Sequence, residues 1–187
     1  MKISFATGNK NKVFEANQVG REKGVEFQRI RQPYPEVRSD DVAEVALKGV
    51  EYVHNKVGGP VIVEDSGFFV NALNGFPGAY SAMVYDKIGL AGVLRLMEGL
   101  QERSCLFKAA VAYMDGEEHK VFTGIIKGTM TKSIQGDGGF GYDPVFIPEG
   151  ASETYATNPE QKRDSSHRKK ALEKFLDWLS EKKLTIH

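Results

Sequence analysis

The run Val61-Ile62-Val63 constrains the fold more than any other feature of the chain. Three consecutive β-branched residues without polar alternation form a strand that is buried on both faces. Glu64-Asp65-Ser66-Gly67 follows at once, so two carboxylates are expected in the turn at the end of that strand. Around it, strand and helix patterns alternate. Lys2 to Ala6 reads as a short strand that stops at Thr7-Gly8-Asn9, with a helix from Lys10 to Val19 behind it. Val25 to Ile30 is a second strand, closed by Pro33-Tyr34-Pro35. Ser39 is expected to cap the next helix, with Asp40 and Asp41 in its first turn, where acid suits the helix dipole. Val42, Val45, Ala46, Val50 and Val53 keep the 3.6-residue period until Gly58 and Gly59 stop it.

The second half adds a hairpin. Residues 71–82 read as a turn-rich loop before a helix from Asp86 to Met97. Cys105 to Met114 and His119 to Lys127 pair around Asp115-Gly116, a two-residue turn signal. A glycine cluster at 136–143 precedes the strand Val145-Phe146-Ile147, and a helix from Ser165 to Leu184 closes the chain. Its buried stripe is Ala171, Leu172, Phe175, Leu176 and Leu179. Early alternation followed by a hairpin points to an α/β protein with a mixed sheet. No repeat or linker divides it, so residues 1–187 are expected to form a single domain.

Charge narrows the range of partners. The 25 basic side chains equal the 25 acidic ones, which gives no net field to draw nucleic acid or an anionic membrane. The one cysteine, Cys105, rules out an internal disulfide and a cysteine zinc cluster. No apolar run approaches the ~20 residues that span a bilayer, and MKISFATGNK is too short in apolar residues for a signal peptide. The expected location is cytoplasmic.

Four places could carry chemistry. Thr7-Gly8-Asn9-Lys10-Asn11-Lys12 lies where a strand hands over to a helix, and backbone N–H groups at a helix start bind phosphate. Lys12 falls in the first turn, where a cation opposes the dipole unless an anion sits beside it. The same residues would also serve as a surface turn with Asn9 as cap. Glu64 to Gly67 could hold Mg²⁺ through oxygen ligands while phosphates complete the shell, or be a polar turn; Glu36 is a lone carboxylate. Phe140-Gly141-Tyr142-Asp143 could stack on a nucleobase, or its aromatics could belong to the core. Lys162, Arg163, His167, Arg168, Lys169 and Lys170 crowd what reads as one helix start, the unfavourable end for cations, so something acidic or carbonyl-rich should compensate them. Phosphates, a hard metal, a stacking surface and nearby cations together suit a nucleotide.

TGNKNK, YPEV, EDSG, NALNGFPGAYS, GGFGYDPVFIPEG and SSHRKKAL, in this order from Lys2 to about Leu179, resemble the inosine-triphosphate pyrophosphatase family, also called Ham1-like. The resemblance implies an elongated α/β fold with a long mixed sheet flanked by helices, two lobes with a substrate cleft between them, and assembly as a homodimer. It implies Mg²⁺ as cofactor and ITP, dITP and XTP as substrates. Residue by residue, it implies that Thr7, Gly8, Asn9, Lys10, Asn11 and Lys12 bind the triphosphate. Glu36 and Asp65 would hold Mg²⁺, with Asp65 also the general base, and Ser66 would touch substrate. Phe140, Gly141, Tyr142, Asp143, Lys162, His167 and Arg168 would form the base pocket. Two positions depart from the family pattern: Thr157, where a glutamate is frequent, and Met83, where an arginine is.

The expected reaction is hydrolysis of a nucleoside triphosphate to the monophosphate and pyrophosphate by water attack at the α-phosphorus. Lysine and arginine only donate, so Lys162 and Arg168 would favour a purine 6-carbonyl over a 6-amino group. The competing expectations are a phosphatase that releases orthophosphate, a nucleotide-binding module without turnover, and an RNA-binding protein, which the balanced charge disfavours.

Overall fold

The computed structural model describes residues 1–185. Its strands are β1 (Lys2–Ala6), β2 (Glu26–Ile30), β3 (Val61–Val70), β4 (Pro77–Gly78), β5 (Ser104–Met114), β6 (His119–Met130) and β7 (Phe146–Pro148). Its helices are α1 (Lys10–Glu22), α2 (Val42–Val57), α3 (Ser81–Leu96), α4 (Pro159–Ser165) and α5 (His167–Thr185). The strands form one mixed sheet in the order β2-β1-β3-β5-β6-β7, with β4 added on β3. β1 pairs in parallel with both β2 and β3, whereas β4 on β3 and β7 on β6 are antiparallel. Among the described residues no helix is long and apolar enough to cross a membrane.

The chain forms two compact units. The first comprises Met1–Asp65, Ala109–Gly124 and the segment from His167 on; the second comprises Ser66–Lys108 and Ile125–Ser166. The first is built on Ile3, Phe5, Phe27, Ile62, Val111, Phe175 and their neighbours, and the second on Phe68, Val93, Phe107, Met130 and Phe146. Burying each such large apolar side chain contributes about 1.5–3 kcal/mol, so both units have a substantial core of their own. All five α2 positions expected to face inward are buried, as are all five of the α5 stripe.

Several boundaries differ from the sequence expectation. α1 runs on to Glu22 through Gly20, where a Cβ would come 2.5 Å from the Val25 carbonyl oxygen and only glycine fits. The α2 cap is Asp41, whose Oδ1 accepts from the Ala43 N–H at 3.0 Å. Ser39 stands one step further out, accepting from the Asp41 N–H and donating to Glu44. α3 starts at Ser81 rather than Asp86, since the Ser81 hydroxyl accepts from the buried Phe68 N–H at 2.7 Å and ties the segment down early.

β3 is the largest correction. It spans ten residues, so Glu64-Asp65-Ser66-Gly67 lies inside a strand and not in a turn after one. The reason is a change of partner. Pairing with β1 ends at Ala6 opposite Val63, and β3 then takes β4, with Phe68 opposite Gly78. The carboxylates therefore still lie just past the C-terminal end of β1, where the parallel pairing stops.

The closing helix is α5, one continuous helix from His167 as expected, but a separate short helix, α4, precedes it across Ser166, whose backbone is extended. Lys162 and Arg163 consequently fall in the last turn of α4, where positive charge suits the dipole. The cationic run read as one helix start is thus divided between a favourable C-terminus and the N-terminus of α5.

The hairpin turn takes four residues, 115–118, instead of two. Asp115 organises it: Oδ1 accepts from the Glu117 and Glu118 N–H groups, and Oδ2 accepts from the Tyr113 hydroxyl and the Lys182 ammonium. Burial alone would raise this carboxyl, but these donors together hold it down at about 2. A depressed acid stabilises the fold above its unfolded value and loses that contribution as pH falls through the folded one. Asp115→Asn is therefore expected to cost about 1–3 kcal/mol in denaturant unfolding near neutral pH. The gap to wild type should be full above about pH 4 and close towards pH 2; a gap independent of pH would remove the charge from this account.

Candidate active site

In the first unit, β1 ends at Ala6 and the chain turns directly into α1. The Thr7 hydroxyl accepts from the Asn9 N–H at 3.1 Å, and Asn9 caps the helix by accepting from the Asn11 N–H at 2.9 Å. No acid occupies the first turn of α1. The anion that Lys12 needs comes instead from β3: its ammonium lies 2.7 Å from Glu64 Oε2 and donates to the Glu64 carbonyl at 3.1 Å. Gly8, Lys10 and Asn11 are exposed beside it.

The Glu64 side chain is wholly buried, and its second oxygen accepts from Arg168 Nε at 3.2 Å. Arg168 Nη1 donates in turn to Glu15. Burial works against the Arg168 charge, but Glu64 and Glu15 outweigh it and hold the guanidinium above even its ordinary range. Lys12, Glu64, Arg168 and Glu15 thus alternate in sign along one line whose middle members, Glu64 and Arg168, are buried. A buried carboxylate flanked by two cations in this way is neutralised without solvent.

Tyr34 reports where the other carboxylates are. Its ring lies against the Cα of Gly49, and its phenol is pushed well above the ordinary range, by burial first and then by Asp65, Glu36 and Glu64. Each of these three carboxylates therefore lies within electrostatic reach of the Tyr34 hydroxyl. Asp65 Oδ2 is shielded from solvent, while Glu36 is exposed. Carboxylate oxygens such as those of Asp65 and Glu36 are the ligands a hard divalent cation prefers. Among the described residues no three His, Cys, Asp or Glu side chains are grouped as a closed metal cage. Magnesium fits two carboxylates without one, because it keeps waters and takes phosphate oxygens as its remaining ligands.

In the second unit, Asp143 is buried and its Oδ2 accepts from the Phe140 N–H at 2.8 Å and from Lys162 Nζ at 2.7 Å. The same ammonium sits 3.8 Å from the Phe140 ring centroid. Backbone, aromatic face, cation and carboxylate are therefore locked into one cluster. Tyr142 is placed differently. It stacks on Phe68 at 4.7 Å between centroids and donates its hydroxyl to the Ser81 carbonyl, so its ring belongs to the core. Ser66 is half-buried in β3. His167 is buried at the start of α5 in the first unit, next to Arg168. Cys105 is buried and its thiol is pushed up to about 12 by burial, which disqualifies it as a nucleophile.

A family model described as the Ham1 family matches residues 3–178, nearly the whole chain. The chain belongs to the Ham1 family. A Methanopyrus kandleri protein named dITP/XTP pyrophosphatase is 48% identical over 180 residues, covering 95% of this chain and 96% of that one. A Thermococcus kodakarensis protein of the same name is 45% identical over 97% and 98% of the two chains. Among solved structures, the Staphylococcus aureus Ham1 protein superposes with a TM-score of 0.86 at 27% identity, over 97% of this chain and all of that one. As a Ham1 protein the chain carries the expected mixed α/β sheet. Arg168 is bonded to two carboxylates, Glu64 and Glu15, and Lys162 to Asp143.

Sequence reasoning missed Glu15, Tyr34 and the part played by Glu64. Glu64 was visible only as the neighbour of Asp65. Glu15 could have been suspected, since it lies one helical turn beyond Lys12 and so on the same face of α1.

Proposed function

We propose that this Ham1 protein hydrolyses non-standard purine nucleoside triphosphates, dITP, ITP and XTP, to the monophosphate and pyrophosphate, and so cleans the cytoplasmic nucleotide pool. The observation that carries this is the junction of β1 and α1, where Lys12 meets Glu64 and Asp65 follows on β3, beside a capped helix start. Its relatives in Methanopyrus kandleri and Thermococcus kodakarensis, both named dITP/XTP pyrophosphatase, support the same reaction. In this reading residues Thr7 to Lys12 take the triphosphate, with Lys12 exchanging Glu64 for phosphate oxygens. Glu36 and Asp65 hold Mg²⁺, which when bound neutralises charge on the phosphates. Asp65 orients the attacking water and takes its proton, and Ser66 contacts the substrate. Phe140 stacks on the purine, and Lys162, held by Asp143, donates to a 6-carbonyl that a 6-amino purine lacks. His167 and Arg168 complete the set, and the working form is a homodimer.

A panel of nucleoside triphosphates assayed with Mg²⁺ tests the reaction. The expected result is pyrophosphate as product and a preference for ITP and XTP over ATP of at least about thirtyfold, the size of one or two unpaired donors. Orthophosphate as product would make the protein a phosphatase, and no turnover would make it a binding module.

A further inference from the structure

The segment joining β6 to the Phe140 cluster has almost no regular structure, so a few contacts must fix it. Gln135 is held at both backbone groups. Its N–H donates to the Pro144 carbonyl at 2.8 Å, and its carbonyl accepts from Thr154 Oγ1 at 2.9 Å. Thr154 is fully buried. A threonine hydroxyl has one proton and two lone pairs. The proton goes to Gln135, while the oxygen accepts from the Thr157 N–H at 3.2 Å and lies 3.0 Å from Thr157 Oγ1. The Thr157 hydroxyl also donates to the Thr154 carbonyl at 3.0 Å.

The glycine loop is laid directly on this turn. A Cβ on Gly136 would fall 2.8 Å from the Thr157 nitrogen, and one on Gly138 would fall 2.6 Å from the Ala156 carbonyl oxygen. Gly136 also has φ +83°, which a residue with a side chain adopts at a cost. Gly139 then brings the chain so close to Asp143 that a Cβ there would overlap its Oδ2. The next residue delivers the Phe140 N–H to Asp143 and its ring to Lys162.

We propose that Thr154 is a positioning residue for purine specificity: through Gln135 and the Thr157 turn it sets the glycine loop that holds Phe140, Asp143 and Lys162 in register. The inference rests on the reading above that these three residues receive the base. It also gives a role to Thr157, one of the two departures from the family pattern, as the hydroxyl that completes the turn.

Thr154→Val keeps shape and volume and removes the hydroxyl. The expected result is an increase of about tenfold in KM for ITP with kcat within about twofold, the scale of one lost hydrogen bond acting on binding alone. IMP affinity should fall by the same factor and pyrophosphate affinity should not change. Thr154→Ser should restore the wild-type values, and Gly136→Ala should reproduce the Thr154→Val pattern from the loop side. Should Thr154→Val fail to fold, Thr154→Ser and Gly136→Ala decide the question by themselves. Unchanged IMP affinity, or equal losses for IMP and pyrophosphate, overturns the role of Thr154. The base reading fails separately: wild type binding IMP and AMP equally, with Lys162→Met leaving IMP affinity intact, would remove it. Preference for IMP lost in Lys162→Met but kept in Thr154→Val and Gly136→Ala would retain the base reading and overturn only Thr154.

Discussion

Asp65→Asn is expected to lower kcat by at least about a hundredfold, the usual scale for a lost general base, while nucleotide affinity stays within a few-fold. The asymmetry follows from where the groups sit. Asp65 lies on β3 just beyond the point where β1 stops pairing, with one carboxylate oxygen shielded from solvent and Glu36 and Glu64 sharing its field at Tyr34. Direct phosphate contacts are proposed for other groups, the helix start at Thr7 to Asn11 and the Lys12 ammonium, which the substitution leaves intact, and the introduced asparagine keeps one oxygen for Mg²⁺ beside Glu36. Asparagine preserves the size of the side chain and one acceptor oxygen, so the fold should survive. Steady-state kinetics with ITP, paired with calorimetric binding of a non-hydrolysable analogue, separates the two effects. Near wild-type kcat in Asp65→Asn would reassign the base; equal losses in kcat and affinity would make Asp65 a binding group only.

How much of this was legible in sequence depended on whether the information was local. The periodicity of Val42 to Val53 and of Ala171 to Leu179 named buried faces correctly, because side-chain direction repeats with the helix itself. Asn9 was legible as a cap for the same reason. The extent of β3 was not. Glu64-Asp65-Ser66-Gly67 has the composition of a turn, and only the second partner strand, β4, keeps it extended. The short helix α4 ahead of Ser166 was hidden likewise: no proline or glycine marks its end, and the cationic run on either side of Ser166 suggested one helix start.

The candidate site shows the same limit more sharply. Lys12 could be recognised as a cation in need of an anion, but the sequence could not say that the anion is Glu64, 52 positions away. Nor could it sort the aromatics of the FGYD segment. Phe140 and Tyr142 are two residues apart, yet one sits under the Lys162 ammonium and the other stacks in the core on Phe68. Alternation along an extended segment predicts that residues two apart share a face, but this segment is an irregular turn through Gly141, and the rule does not apply.

Arg168→Ala is expected to destabilise the ligand-free protein by about 3–5 kcal/mol, the cost of breaking a buried ion pair by removing one partner. The guanidinium is 2% exposed and bonded to both Glu64 and Glu15, so truncation takes a buried cation away from Glu64, whose side chain is 0% exposed. A surface arginine would cost a fraction of that. The charge left on Glu64 has a second consequence. Adding Glu64→Gln to Arg168→Ala removes the stranded charge, so the double variant should be more stable than additivity allows, with a coupling of about 1–3 kcal/mol. Urea unfolding of wild type, both single variants and the double variant supplies the whole cycle without any substrate present. A loss below about 1 kcal/mol in Arg168→Ala, or strict additivity in the cycle, would mean that the carboxylates do not depend on this arginine. Turnover by the same variant then addresses the base pocket separately. If Arg168 also meets a purine 6-carbonyl, the ratio of kcat/KM for ITP over ATP narrows beyond what stability explains; if both substrates fall by one factor, its work is confined to Glu15 and Glu64, and Lys162 carries the reading of the base.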